Sequence, residues 1–330
     1  MALGALVFAP FAPAVAAGSL SGQGSTFVAN YLDQCKADLA KSGGPSVTYQ
    51  ATGSGAGRSG YAEGTVDFAA SDVPFSAAEK PKADKKPYVY VPIVAGGVAV
   101  AFNVPGIKNL TLSGPTLGRI FAGKIVSWDD KAIAADNPGV KLPKLVLKVV
   151  VRSDSSGTSN VFSNYLSVVA KADWKKGATS TFPIPAIVGI GQKGSDGVGN
   201  YVGGPQGKGS ITYAEVSFAS ERKLGVAKIV NAAGKAVLPN AASVTEALVE
   251  SNVANDNVIT IDPLAKGAAV YPIAAVAYMI VPKTSAKAKE LTAFATSVLG
   301  PCQAKAAGLG YAPLPKSIVD AATRSLASIK

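Results

Sequence analysis

The chain of 330 residues contains no histidine. This absence excludes the Ser-His-Asp and Cys-His relays of hydrolases, and it removes the imidazole that serves as a metal ligand or as a base near neutral pH. The only two cysteines cannot complete a structural zinc site without histidine. Most hydrolytic and metal-dependent activities are therefore excluded, and we expect no cofactor.

Aromatic and charged residues are also scarce, at 7% and 16% of the chain. Apolar residues make up 48%, which is enough to bury a core and excludes intrinsic disorder. With 35 glycines and 21 prolines the chain turns often, which excludes a coiled coil or a simple helical bundle. The length suits two packed domains.

The formal net charge is +11, which raises the question of a nucleic-acid partner. The lysines are scattered, and the tightest run, at 80–86, contains an aspartate and no aromatic residue of the kind that stacks on single-stranded bases. We therefore predict a solvated loop there and no nucleic-acid partner. The positive charge should still attract anions over a long range.

The first 17 residues are apolar and carry an Ala-Val-Ala triplet at 14–16, which is typical of an export signal with its cleavage site. A membrane anchor is the alternative, and it is disfavoured because Pro10 and Pro13 interrupt a stretch shorter than a bilayer span. The apolar run at 268–281 is also too short to span and is predicted to be a buried strand. We expect residues 1–17 to be removed and the protein to be exported, periplasmic or at the cell surface, and not integral to the membrane.

Export gives the two cysteines a second meaning. Cys35 lies on the apolar face of a predicted helix together with Tyr31 and Leu39, and Cys302 lies near the end of the chain. In an oxidising compartment the pair can form one disulfide that ties the C-terminal region to the first domain. Two separate buried thiols are the alternative.

Predicted strands alternate with short helices, which favours an α/β fold. The strands are predicted at 47–51, 66–70, 88–103 and 145–151, whereas residues 170–262 carry no clear pattern. Two nucleotide-binding patterns fail on inspection. GAGRSG at 55–60 lies too close to the next strand for the crossover helix of a dinucleotide-binding unit, and GRIFAGKI at 118–125 lacks the Ser or Thr of a phosphate-binding loop.

Small hydroxyl and glycine residues follow predicted strands at three places, 25–27, 53–55 and 155–158, and each group opens a helix. Free backbone N–H groups beside a hydroxyl at a helix start can hold an oxyanion without a metal. One such group is typically a helix cap, but three in one chain favour an oxyanion site. Arg152 adds a guanidinium that can bind two oxygens, and Asp154 is close enough to orient it.

Four segments resemble the phosphate-binding motifs of the exported phosphate-binding proteins that serve bacterial ATP-driven phosphate importers. They are SGQGSTF at 21–27, TGSGAG at 52–57, VDFAASD at 66–72 and VRSDSSGTS at 151–159. The resemblance implies a type II periplasmic-binding-protein fold, in which two α/β lobes, each a mixed sheet flanked by helices, are joined by crossing strands and close on the ligand. It assigns residues 18–97 and 275–330 to lobe 1 and residues 98–274 to lobe 2, with crossing strands near 97–103 and 275–281.

The resemblance also implies a set of phosphate-binding residues, which contribute hydroxyls, backbone N–H groups, one carboxylate and one guanidinium. They are Thr26, Phe27, Ser54, Asp72, Arg152, Ser156, Gly157 and Thr158. Asp154 would hold Arg152 in place. Ser25 stands where the family commonly has a small apolar residue, and we expect this difference to be harmless.

Asp72 then acquires a physical purpose. A carboxylate only accepts hydrogen bonds, so it can bind a phosphate that carries a proton and repels sulfate, which carries none at neutral pH. The expected function is the capture of phosphate between two lobes and its delivery to a membrane permease, by a monomer that performs no chemistry. The alternatives are an exported phosphatase-like protein, a basic surface-adhesion protein on the same fold, and a binder of another oxyanion such as sulfate or molybdate.

Overall fold

The computed structural model describes residues 18–330, so the predicted export segment at 1–17 lies outside the described residues. The strands are β1 (Ser19–Gly24), β2 (Ser46–Ala51), β3 (Phe68–Ser71), β4 (Tyr88–Asn103), β5 (Thr111–Leu112), β6 (Lys148–Arg152), β7 (Gly189–Gln192), β8 (Ser210–Glu215), β9 (Gly225–Val226), β10 (Lys228–Val230), β11 (Ala236–Val237), β12 (Asn252–Val253), β13 (Ile259–Thr260) and β14 (Ala274–Pro282). The helices are α1 (Ala29–Lys41), α2 (Ser54–Glu63), α3 (Lys80–Ala83), α4 (Gly114–Phe121), α5 (Lys131–Asp136), α6 (Gly157–Val169), α7 (Gly194–Gly203), α8 (Val216–Glu221), α9 (Ala241–Val249), α10 (Ala288–Leu299), α11 (Gln303–Ala306) and α12 (Lys316–Leu326).

The larger strands form one continuous hydrogen-bonded order, β2-β1-β3-β14-β4-β8-β6-β7, with β9 also pairing with β4. Strands β1, β2 and β3 run parallel, and β14 is antiparallel to both β3 and β4. On the other side of β4, strand β8 is antiparallel to β4, and β6 is parallel to β7 and β8. Mixed sheets flanked by helices confirm the predicted α/β fold class.

Strand β4 joins the two halves of this order because it changes partner along its length. Residues from Tyr88 to Gly97 pair with β14, whereas residues from Val98 to Asn103 pair with β8. The strand is continuous through Gly96 and Gly97, and nearly all of its 16 residues are buried. Its sequence has no polar face because both faces of the strand are covered.

Strand β14 contains residues 275–281, which the resemblance places near a crossing between the lobes. All nine of its residues pair with the first part of β4, and part of it also pairs with β3. The chain returns to the first sheet just before β14, where the carbonyl of Ile273 accepts a hydrogen bond from the Val98 N–H at 2.8 Å. There the hydroxyl of Tyr271 donates to the Val98 carbonyl, also at 2.8 Å. The segment just before β14 is thus bonded to the residue at which β4 changes partner, and the position of the second crossing stays a prediction.

A disulfide joins Cys35 and Cys302, with the two Cα atoms 5.6 Å apart, so the alternative of two separate thiols does not hold. Cys35 lies on the buried face of α1, as the spacing predicts, and Cys302 directly precedes α11. The bond fixes the first helix to the C-terminal part of the chain. Among residues 18–330, no helix is long and apolar enough to cross a bilayer.

Candidate oxyanion-binding site

The candidate site lies where strands end and helices begin. The carboxyl ends of β1, β2 and β3 meet at one edge because these strands are parallel. Strand β1 leads through Ser25 to α1, β2 leads into α2, and β3 leads directly to Asp72. In the second half of the sheet, β6 leads through residues 153–156 into α6. Ligand sites of α/β proteins collect at this kind of edge.

Asp72 is the centre of the cluster and is only 5% exposed. The hydroxyl of Ser25 donates to its Oδ1 atom, and the hydroxyls of Ser54 and Thr158 lie 3.4 and 3.2 Å from its Oδ2 atom. Ser54 begins α2 on the first sheet, whereas Thr158 lies in the first turn of α6 on the second. Hydroxyl groups from both halves of the molecule therefore meet at one carboxylate.

Burial raises the pKa of Asp72 above its usual value because the charged form loses hydration. Several groups oppose this effect. The largest opposing contribution is the Ser25 hydrogen bond, followed by the charge of Arg152 and the hydrogen bonds from Thr158 and Ser54. The protonation of Asp72 is thus governed by its immediate neighbours in the site.

Arg152 is 2% exposed and forms a two-point ion pair with Asp154. Its Nε atom donates to Oδ1 at 2.7 Å and its Nη2 atom donates to Oδ2. Burial opposes the ionisation of Asp154, but the hydrogen bonds and charge of Arg152 and the backbone N–H of Gly194 outweigh burial and lower its pKa. Asp154 therefore fixes the guanidinium as a charged, oriented group. Within residues 18–330, the Nη1 atom of Arg152 makes no hydrogen bond and is available to an anion.

Two glycines allow the helix starts to approach the cluster. A Cβ atom on Gly157 would lie 2.5 Å from the Ser54 hydroxyl and 2.7 Å from Oδ2 of Asp72. Gly53, which caps α2, has a φ of +101°, and a Cβ atom there would lie 2.4 Å from Oδ2 of Asp154. The N-termini of α2 and α6 are thereby brought against the charged groups, where their free N–H groups favour negative charge.

The first loop, residues 25–27, is tied to the second half of the molecule by a residue that sequence reasoning did not assign. The Thr26 hydroxyl lies 2.8 Å from the hydroxyl of Ser195, and the Ser195 N–H donates to it at 3.2 Å. Ser195 lies in the first turn of α7, just after β7. The available signal was the segment GQKGSDG at 191–197, which repeats the pattern of small residues after a strand.

Tyr311 and Ser25 hold the same loop from within. The Tyr311 hydroxyl donates to the carbonyl of Phe27 at 2.7 Å, and the Phe27 N–H donates to the Ser25 hydroxyl at 3.1 Å. Ser25 is therefore bonded both to the loop and to Asp72. The expectation that Ser25 is a harmless difference from the family does not account for these two hydrogen bonds.

The structure brings the predicted residues together to different degrees. Ser54, Gly157 and Thr158 all lie against Asp72. Arg152 lies beside this group, since Gly53 is next to both its Nη2 atom and its partner Asp154. Thr26 and Phe27 follow Ser25 in the first loop. The hydroxyl of Ser156 accepts a hydrogen bond from the Ser159 N–H at 3.1 Å, so this side chain serves as the N-cap of α6. The roles of the predicted residues toward a ligand stay a prediction.

Comparisons with known proteins identify the family. Residues 9–300 match a family model described as a PBP superfamily domain. Phosphate-binding protein PstS of Xylella fastidiosa (strain Temecula1 / ATCC 700964) is 36% identical over 308 residues, which cover 91% of this chain and 82% of the relative. The chain belongs to the PstS family of the PBP superfamily. Phosphate-binding protein PstS 3 of Mycobacterium leprae (strain TN) is 37% identical over 312 residues, which cover 91% of this chain and 84% of that relative.

Solved structures agree with the PstS family assignment. A periplasmic phosphate-binding protein called PfluDING, determined with bound phosphate, has a TM-score of 0.73 and 25% identity to this chain, and 92% of each chain is covered. A DING protein with 23% identity has the same TM-score of 0.73 and supports the fold alone. The two-lobed type II fold that the motifs implied is thereby confirmed.

Proposed function

We propose that this PstS-family protein captures inorganic phosphate between two lobes outside the cytoplasm and delivers it to the permease of an ABC-type phosphate importer. The observation that carries the proposal is Asp72, a buried carboxylate that receives hydroxyl groups from both halves of the molecule beside the ion-paired Arg152. An anion at this position can bond to both halves at once. Bonds of that kind drive hinge closure in two-lobed receptors.

Each predicted group has a function toward phosphate that its chemistry supports. Arg152 neutralises charge and donates through its free nitrogen, while the hydroxyls and the N–H groups at the starts of α2 and α6 donate to the remaining oxygens. The full proposed set is Thr26, Phe27, Ser54, Asp72, Arg152, Ser156, Gly157 and Thr158, with Asp154 orienting Arg152. These donors, together with the Asp72 acceptor, can bind the four oxygens of phosphate without a metal ion.

Asp72 provides the selectivity in this proposal. Phosphate carries at least one proton near neutral pH and can donate it to the carboxylate. Sulfate brings only lone pairs and negative charge, so its complex leaves Asp72 unpaired against another anion. A site that rejects a ligand by an unpaired buried group discriminates strongly, which argues against sulfate or molybdate as the natural ligand.

We propose the lobe boundaries at 18–97 plus 275–330 and at 98–274. The change of β4 partner between Gly97 and Val98 supports the first boundary, and the end of the return segment at Ile273 supports the second. Within the proposed lobe 2, Asn257 of the β12–β13 hairpin donates to the carbonyl of Tyr90 at 3.0 Å, so this hairpin also contacts lobe 1. Removal of residues 1–17 on export, action as a monomer and docking to the permease belong to the same proposal.

Calorimetric titration of phosphate tests the binding function. The protein is first stripped of ligand by reversible unfolding with the disulfide intact, and the titration is repeated in excess sulfate. We expect one-to-one binding that sulfate does not change. The absence of phosphate heat, or equal competition by sulfate, would overturn the proposal.

Two variants locate the binding at this site. Arg152→Ala should weaken phosphate and sulfate alike by at least about tenfold, because it removes a charged donor. Asp72→Asn should narrow the difference between the affinities for phosphate and for sulfate. Arg324→Ala is the matched control, since it removes one exposed positive charge outside the site. If Arg324→Ala weakened phosphate as much as Arg152→Ala, the effect would be long-range attraction rather than contact.

We also propose that the protein performs no chemistry on its ligand. The relatives reported above are named as binding proteins. Hydrolysis of a chromogenic phosphomonoester that disappears in Ser54→Ala would contradict this part of the proposal and favour the phosphatase alternative.

A further inference from the structure

Ser25 is a fully buried serine whose backbone is held at both ends of the residue. Its N–H donates to the carbonyl of Ala70 at 2.9 Å, and its own carbonyl accepts a hydrogen bond from the Tyr49 hydroxyl at 2.7 Å. Its side-chain oxygen accepts from the Phe27 N–H and donates to Oδ1 of Asp72. The hydroxyl therefore has one donor and one acceptor partner and no freedom to turn away from Asp72.

The two oxygens of Asp72 consequently have different surroundings. Oδ1 is bonded to Ser25, which belongs to the same half of the sheet as Asp72 itself. Oδ2 faces Ser54 and Thr158, the hydroxyls that the proposed function assigns to the ligand. One oxygen is thus bonded to Ser25, while the other faces the two hydroxyls that the proposed function assigns to the anion.

We propose that Ser25 is a specificity-determining residue, because its hydroxyl anchors Oδ1 of Asp72, keeps the carboxylate in its acceptor form and turns Oδ2 toward the proton of a singly or doubly protonated oxyanion. This inference rests on the proposed function and deepens it. Without the anchor, Asp72 takes up a proton more readily. A protonated Asp72 can donate to sulfate and no longer excludes it.

The groups around Asp72 support this role for Ser25. Arg152 is the charged side chain that favours the carboxylate, and its contribution is smaller than that of the Ser25 hydrogen bond. Three tyrosines lie close enough to Asp72 for its charge to raise their pKa values: Tyr49 on β2, Tyr278 on β14 and Tyr311 after α11. Burial raises the pKa of each of them, so they are neutral throughout the relevant range. The Ser25 hydrogen bond is then the interaction that most opposes the effect of burial and favours the ionised form of Asp72.

The test compares Ser25→Ala with wild type and with Ser163→Ala. Ser163 is equally buried, and its hydroxyl bonds the backbone of Asn160 and Thr179 and none of the site. Affinities for phosphate and sulfate are measured by competitive calorimetry from pH 5 to pH 9. Phosphate itself titrates in this range, but it does so equally for all three proteins. Differences between their selectivity profiles therefore report on the protein.

We expect the pH below which phosphate is no longer preferred over sulfate to be higher in Ser25→Ala than in wild type. In the pH range where selectivity is being lost, the preference of Ser25→Ala for phosphate over sulfate should be about tenfold lower than that of wild type, which is the effect of one hydrogen bond to a charged group. The Ser163→Ala profile should coincide with that of wild type. A Ser25→Ala profile that also coincides with wild type, with phosphate still bound, would overturn the role of Ser25 and leave the proposed function standing.

A second measurement needs no ligand. The ¹³C shift of the Asp72 carboxyl carbon, assigned by comparison with Asp72→Asn, is followed against pH in phosphate-free protein. Its midpoint should lie higher in Ser25→Ala than in wild type and Ser163→Ala, and an unchanged midpoint would overturn the inference. Failure of wild type to bind phosphate would instead overturn the proposed function, and the selectivity role with it. Ser25→Gly makes the same deletion if the alanine variant does not fold.

Discussion

Glu215 offers a quantitative test of how a buried carboxyl limits the stability of this protein. It is the last residue of β8 and pairs with Val98, at the point where β4 changes partner. The side chain is fully buried. Its Oε2 atom accepts hydrogen bonds from the N–H and hydroxyl of Ser217, while its Oε1 atom has no hydrogen-bond partner in the described chain. Burial raises the pKa of Glu215 from 4.5 to about 8, because the Ser217 bonds offset only part of the lost hydration.

The sign and size of the effect follow from this pKa. A carboxyl whose pKa is higher in the folded state contributes stability below its unfolded value, near 4.5, and this contribution is lost as the pH rises to about 8. At 1.36 kcal/mol for each pH unit, the full interval corresponds to about 5 kcal/mol. Glu215→Gln keeps the shape of the side chain and carries no charge at any pH. The variant should therefore gain stability relative to wild type as the pH rises, by about 5 kcal/mol in total.

Urea unfolding of both proteins at pH 4.5, 6.5 and 8.5, with the disulfide intact, measures this difference. Other carboxyls contribute equally to both proteins and cancel. Glu246→Gln, on the exposed side of α9, is the matched control for replacing a carboxyl group by an amide. A Glu215→Gln difference in the free energy of unfolding that changes with pH no more than the Glu246→Gln difference would refute the reasoning, since it would mean that Glu215 is not desolvated in the folded protein.

Two further predictions concern the frame of the site. Gly53→Ala should lower phosphate affinity in the calorimetric titration at least about tenfold, because the new methyl group collides with the Asp154 carboxylate that orients the guanidinium. Gly64→Ala is the control, since Gly64 also has a positive φ but a Cβ atom there would have nothing within 4 Å. It should cost about 1 kcal/mol of stability and leave phosphate affinity unchanged. Replacing Cys35 and Cys302 together by serine should lower the free energy of unfolding by about 2–5 kcal/mol in urea, and a loss below about 1 kcal/mol would show that the disulfide adds little to the packing of α1.

Those parts of the site that depend on neighbouring residues were predictable from the sequence. A glycine or hydroxyl residue directly after an apolar strand identifies a helix start, and this signal located Ser54 and the segment before α6. The long apolar run at 88–103 correctly predicted a strand, and the structure shows that strand β4 is covered on both faces. Arg152 and Asp154 were paired because a single residue separates them at a strand end.

Contacts between distant segments were not predictable in the same way. Thr26 and Ser195 are 169 residues apart, and no local pattern pairs them. The apolar run at 268–281 indicates burial but does not identify neighbouring strands, so the position of β14 between β3 and β4 was missed. Helix α7, with the sequence GSDGVGNYVG, carries four glycines and has the composition of a loop. It is helical because Val198 and Val202 pack into a small apolar cluster with Val150 and Phe218, and such packing overrides propensity.

The position of β14 between β3 and β4 also determines the order in which the chain can fold as it is made. The first sheet, β2-β1-β3-β14-β4, cannot close before residue 282 has emerged, because β14 (Ala274–Pro282) lies between β3 and β4. The pairs that β8 makes with β4 and β6, by contrast, are available once Glu215 has been made. Until β14 has been made, the sheet of β1, β2 and β3 has an open edge at β3, where β14 will pair. A chain built in this order stays incompletely folded during most of its synthesis, which is the state in which a polypeptide can be threaded through a narrow translocation pore.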